Sequence, residues 1–367
     1  MPLSIVGCGQ FKAASGHLDS ASTRSLSKLY SQSAVTFYLS NLSSTVVGRP
    51  LSQAELSLIQ GKRQEAISEI VNTWMDDAYL ADSARLMTNI NLSASGTADG
   101  VNYNLPGNLA KYIVKNRLPY SQILKADYCV ADDLNKTACD TGAPYVAGVL
   151  TTRAYMKKNV GRFNLRRAGK LLKEFACREY PMETTIQRPL DASRLIPMFQ
   201  VLEGSKDMSF GNGQACYSCH SQFGAHAQLF VKFDTLGKYV PEATGIQASG
   251  VEKGLSTGNL YASHLQNPVE AASESSQMFS REVRNLKEAA DVLAESPLFL
   301  ECAIRKVLKH FLRLDASDAE RIGIGLIQEI ATQIRSEEPD PTFQTIVNKS
   351  LIHPLVIESV LKQGEAP

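Results

Sequence analysis

The chain has 367 residues, 44% of them hydrophobic, which is enough for two domains with a core each. Its 38 basic and 37 acidic residues leave a net charge of +1, a balance that excludes a nucleic-acid platform and broad steering of polyanions. No stretch approaches the roughly 20 apolar residues of a membrane span, so no transmembrane segment is expected.

At the N-terminus, Leu3-Ser4-Ile5-Val6-Gly7-Cys8 resembles a bacterial lipobox, in which small and apolar residues precede a cysteine that becomes lipidated. It implies a lipid anchor at Cys8, and Gly9 in place of an aspartate implies sorting to the outer membrane. The run before it is shorter than the 7–15 apolar residues of a signal peptide, so a start further upstream or an accidental match is the competing reading. From Ala14 to Ser44 the chain is rich in Ser and Thr, with His17 among small polar residues; residues 1–50 read as a signal remnant and a solvated tether.

Ordered structure is expected to begin at the capping box Ser52-Gln53-Ala54-Glu55. Ile59, Ala66, Ile67, Ile70, Val71, Trp74, Met75 and Ala78 then recur at three- and four-residue spacing, the mark of one buried helical face. A second helix is expected over Leu109–Asn116, after an interruption from Asn91 to Gly107. Between Arg153 and Lys173 lies a basic stretch, read as a helix with a solvated charged face and an apolar side made by Phe163, Leu165, Leu171 and Leu172. Further on, Ser296-Pro297 opens a helix to about Arg313, Ser317-Asp318-Ala319-Glu320 opens another to about Ser336, and a last one after Pro341 breaks near Pro354. The expected fold class is mainly α, with a helical N-terminal domain (51–200) and a c-type cytochrome-like helical haem domain (201–367).

The pentapeptide Cys216-Tyr217-Ser218-Cys219-His220 carries the chemistry. Two thiols on one turn match the two vinyl groups of a porphyrin edge, and the adjacent imidazole reaches the iron, so Cys216 and Cys219 would attach one haem c covalently and His220 would be its proximal ligand. With 7 Cys and 6 His in the chain, chance alone yields this spacing only about two times in a thousand. Two other chemistries use C-x-x-C. A thioredoxin-like couple needs a preceding strand, and a zinc site needs a second close Cys or His pair; neither pattern accompanies Cys216. Arg162 and Arg166, four residues apart, are candidates to pair with haem propionates.

Four further cysteines form an even set, as an oxidising compartment would allow. Of their three pairings, Cys129–Cys139 with Cys177–Cys302 is favoured, against the reading that all four are buried thiols.

The segment from His220 through Phe233, Asp234, Gly237 and Lys238 resembles the haem-attachment region of planctomycete-type cytochrome c domain proteins, whose pattern is C-x-x-C-H, a loop, then Phe-Asp-x-x-Gly-Arg/Lys. Blocks at Leu118–Tyr128, Ala147–Thr152, Arg162–Arg167 and Ser296–Leu314 resemble the same group. The chain departs from it at Gly224-Ala225, where the group has Asp-Pro, and at Arg313-Leu314, where it has Gly-Arg. The resemblance implies a bacterial periplasmic monohaem protein, in a group whose role is largely unassigned.

Met278 is the leading expectation for the sixth iron ligand, with Met208, His226 and His264 as alternatives and His310 and His353 behind them. Function divides accordingly. One reading is periplasmic electron transfer or redox relay with an unidentified partner protein; the other is a structural or partner-binding lipoprotein in which haem is a staple or sensor. An enzyme of the haem-peroxidase type is the minor reading, because it needs an acid–base residue beside an open iron.

Overall fold

The computed structural model describes residues 30–182, 188–196, 214–243, 264–266, 272–314 and 323–364; the side chains of Arg162 and of residues 214–216 and 362–364 lie outside that description. Cys8, His17, Met208 and the Ser317–Glu320 capping box also fall outside the described residues.

The first element corrects the tether. Gln32–Val46 is a helix (α1) capped by the Ser31 hydroxyl, and Val35, Tyr38, Leu39, Leu42 and Val46 are wholly buried. Its serines and threonines do not oppose the helix because they bond carbonyls one turn back: Ser43 to Ser40 at 3.0 Å and Thr45 to Leu42 at 2.9 Å. The Tyr38 hydroxyl then ties α1 to the Leu351 carbonyl at 2.7 Å, a contact that composition does not reveal.

The Ser52–Glu55 capping box forms as expected at the start of α2 (Gln53–Lys62). The single helix expected beyond it is two, because Arg63 takes a left-handed φ of 51° before α3 (Glu65–Trp74). The buried face runs from Ile59 to Met75, whereas Ala78 lies beyond α3 and is exposed. Helix α4 (Tyr79–Leu92) packs on α5 (Leu105–Lys115), which starts four residues before the expected Leu109. After a short α6 (Gln122–Lys125), a two-stranded hairpin of β3 (Cys129–Val130) and β4 (Lys136–Thr137) is closed by the Cys129–Cys139 disulfide. Two similar hairpins pair β1 (Thr97–Ala98) with β2 (Val101–Asn102) and β5 (Ser276–Met278) with β6 (Arg281–Val283).

The basic stretch folds as α7 (Arg153–Lys158), a 3-10 turn at Arg162–Asn164 and α8 (Leu165–Phe175). Helix α9 (Gln214–Gln228) carries the C-x-x-C-H motif. Beyond it come α10 (Leu286–Glu295), α11 (Pro297–Phe311) with Ser296 as its cap, α12 (Ile324–Glu337), α13 (Phe343–Leu351) and α14 (Pro354–Gly364). The fold is mainly α, as expected.

One apolar cluster runs from Tyr30 to Leu361 and takes side chains from both sides of residue 200, so the expected boundary there does not divide the core. The Cys177–Cys302 disulfide, also as favoured, joins the end of α8 to α11. A second, smaller cluster of Phe163, Leu190, Leu195, Ile196, Ala225 and Leu265 lies beside α9. Among the described residues no helix is long and apolar enough to cross a membrane.

Candidate functional site

Positions 216, 219, 220 and 223 fall on one face of α9 by helical register. His220 is buried there, and its Nδ1 lies 3.3 Å from Nε2 of His264, also buried. The ring centroids are 5.4 Å apart and the planes cross at 57°. Burial alone pushes the His220 pKa down to about 4 and holds His264 well below its ordinary value, with His220 as a second cause for the latter. Both rings are therefore neutral near pH 7, the form in which imidazole binds metal.

A short strap holds this pair in place. The Leu190 N–H donates to the Ser221 carbonyl at 2.8 Å, fixing the strap to α9, and the Ile196 N–H donates to the His264 carbonyl at 2.8 Å. Leu195 bridges Leu265, and the Phe163 ring lies 5.0 Å from that of His264. Gly224 makes the approach feasible: a Cβ at that position would meet Leu190 Cδ1 at 2.8 Å and lie 3.8 Å from His264 Cβ. The small residues Gly224 and Ala225 on α9 thus admit the strap and the second histidine.

Phe223, whose ring is 5.7 Å from His220, lines a cleft of about 780 Å³ with Leu92 and Leu165 and four cationic side chains, Lys158, Arg166, Lys170 and Lys173. Lys170 and Lys173 already pair with Glu174 and Glu179 at 2.8 and 2.7 Å, and Lys158 sits over the Tyr103 ring; Arg166 is exposed at the cleft. The cleft has an apolar wall and cationic rim, but it is lined by neither imidazole; the His220 and His264 rings instead meet each other directly beside the Phe163–Leu265 cluster. Cys219 is half-buried and outside both disulfides.

Four of the remaining ligand candidates lie elsewhere, and Met208 is outside the described residues. Met278 is wholly buried in the main cluster, on a strand whose Ser276 hydroxyl donates to the Ala225 carbonyl. His226 hydrogen-bonds the Tyr180 hydroxyl through Nδ1, while His310 meets Ser83 at 3.1 Å and His353 lies 3.9 Å from Glu329.

Arg167 does not belong to a solvated face, as the basic stretch suggested, but is wholly buried. Its guanidinium donates to the carbonyls of Met156 at 3.1 Å, Phe233 at 2.6 Å and Asp234 at 2.5 Å, and to Asn164 Oδ1 at 2.9 Å. The one sequence signal for this was its place four residues before Leu171, on the apolar stripe of α8. The Phe233–Tyr239 pattern is likewise a turn: Asp234 Oδ1 accepts from the N–H groups of Leu236 and Lys238, each at 2.8 Å. Gly237 adopts a φ of 76° against the α7 backbone.

Burial also pushes the His226 pKa down to about 3. The unfolded chain binds a proton there near pH 6.5 and the folded chain does not, so stability falls as the pH drops from 6.5 toward 3, by up to about 1.4 kcal/mol per unit. His226→Asn keeps an acceptor for Tyr180 without a titrating ring. Urea unfolding between pH 6 and 4.5 is expected to show a slope shallower by about 1.4 kcal/mol per unit in the variant; equal slopes would contradict this account.

Among the described residues no group of three or more His, Cys, Asp or Glu side chains converges as a bare-ion site. Set against models of known families, characterised proteins and solved structures, the chain matches none of them.

Proposed function

We propose that this chain is a periplasmic c-type monohaem protein serving electron transfer or redox relay, similar to the planctomycete-type cytochrome c domain proteins. The observation that carries the proposal is the C-x-x-C-H face of α9, which has a buried neutral imidazole against His220 and a cationic cleft beside Phe223. Cys216 and Cys219 would hold the porphyrin edge, His220 its iron, and Arg166 a propionate; Arg162, adjacent in the 3-10 turn, is proposed for the second. Haem, when bound, supplies a one-electron iron couple. The chain's residues keep that couple dry: Phe163, Leu190, Leu195 and Ala225 exclude water from the imidazoles, which favours outer-sphere transfer over hydrolytic chemistry. Two disulfides support an oxidising compartment, and a lipid anchor at Cys8 is proposed with it.

The alternative, a partner-binding protein with haem as a staple, draws on the main core, most of which lies outside the α9 pocket. Covalent attachment is common to both. A haem-stained denaturing gel of protein matured with a cytochrome c maturation apparatus is expected to show a band lost in Cys216→Ala/Cys219→Ala. An unstained wild-type band would refute the proposal.

A further inference from the structure

We infer that a pocket at the meeting of α6, α10, α11, α12 and α13 binds a small carboxylic acid with an aromatic body. The site shares no residue with the α9 region and stands whether or not the chain carries haem.

The pocket has a volume of about 270 Å³, just under the roughly 300–1,000 Å³ of drug-sized sites, so it suits a small ligand. Its frame joins segments far apart in the chain. The Tyr120 N–H donates to the Pro341 carbonyl at 2.9 Å, Pro119 bridges Thr342, and the Thr342 N–H donates to Glu338 at 3.0 Å. These bonds hold the start of α6 against the turn between α12 and α13.

One wall is aromatic. The Tyr120 and Phe299 rings stack with centroids 5.7 Å apart and planes at 23°, and Leu300 and Ile346 extend the apolar surface. A ligand ring joins such a pair in offset or edge-on contact. Tyr120 is only 8% exposed, yet among the described residues its hydroxyl has no hydrogen-bond partner. Burial pushes its pKa up, so the hydroxyl stays a donor at neutral pH. Buried phenols are ordinarily paired, and the pocket that Tyr120 lines is where a partner can enter.

Charge sets the sign of the ligand. Lys125 and Arg335 line the pocket half-buried, and among the described residues neither has a carboxylate partner; Arg335 donates to the Ser296 carbonyl at 3.1 Å. The two acids at the pocket are exposed and already engaged. Asp340 accepts from the Ser121 hydroxyl at 2.9 Å, and Glu295 pairs with Arg281 at 3.4 Å. The unmatched charge is therefore positive. A carboxylate supplies what Lys125, Arg335 and the Tyr120 hydroxyl lack, while its ring packs on the Tyr120–Phe299 wall.

The test is isothermal titration calorimetry of the full chain at neutral pH with phenylacetate, phenylacetamide and acetate as probes. Saturable binding of phenylacetate is expected, at least about tenfold tighter than that of phenylacetamide, which lacks the charge, or acetate, which lacks the ring. Lys125→Met and Arg335→Met are each expected to weaken phenylacetate about tenfold and to leave phenylacetamide unchanged, a selective loss that general destabilisation would not produce. Tyr120→Phe is expected to weaken phenylacetate about threefold to tenfold. Ala294→Trp, which fills the pocket from its half-buried edge, is expected to abolish binding. The inference is overturned if the wild type shows no saturable phenylacetate binding at millimolar concentration. It is equally overturned by equal affinity for the acid and the amide, or by undiminished binding in Ala294→Trp.

Discussion

Removing the Cys177–Cys302 bridge, as the pair Cys177→Ala/Cys302→Ala, is expected to lower the unfolding free energy by about 5 kcal/mol. The bridge closes a loop of 125 residues, and in the chain-entropy account the restriction of the unfolded chain grows with the logarithm of loop length. The Cys129–Cys139 bridge, with a separation of only 10, is expected to contribute about 2.5–3 kcal/mol by the same relation. The longer bridge also matters for the site. It fastens the end of α8, which packs on α9, and its loop contains the motif helix, the 188–196 strap and His264. Urea unfolding of both double variants at pH 7 checks the prediction, and equal losses from the two bridges would contradict the entropic account.

Arg167→Met is expected to cost about 3–5 kcal/mol, although it exchanges a buried charge for an apolar side chain of similar length. Replacing buried ions by hydrophobic residues is often harmless when both partners are exchanged. Here the partners are carbonyls of Met156, Phe233 and Asp234, which no substitution removes, and each is left buried with one fewer donor. The guanidinium itself is held against desolvation, which lowers its pKa to about 10, by these dipoles and by the Asp234 charge. Arg167→Lys keeps the charge but not the planar fork, so about half the loss is expected to persist. A change below about 1 kcal/mol in Arg167→Met would show that Arg167 does not brace the turn after α9.

Much of the helical architecture was legible in the chain. The Ser52–Glu55 box and the Ser296-Pro297 start produce the helices they predict, because a cap is satisfied by the first turn that follows it. Both disulfide pairings were also anticipated. Errors arose where local composition and long-range contact disagree. The serines and threonines of residues 32–46 read as a tether, yet the same segment presents Val35, Tyr38, Leu39 and Leu42 at helical spacing to a core completed by residues some 300 positions away. A charged face on α8 read as solvated, yet Arg167 turns inward because three carbonyls converge on it, one from α7 and two from the turn after α9.

By itself the sequence determined the capped helix starts at Ser52 and Ser296 and the C-x-x-C-H spacing, and it favoured the cysteine pairs, since each depends on residues within a few positions or on a small set of thiols. Which side chain faces His220 was decided only by the tertiary structure. His264 is 44 positions from His220, and it reaches the ring because Gly224 leaves room for the strap and Ile196 holds the His264 backbone. No periodicity within either segment encodes that meeting; it follows from how the chain packs around α9.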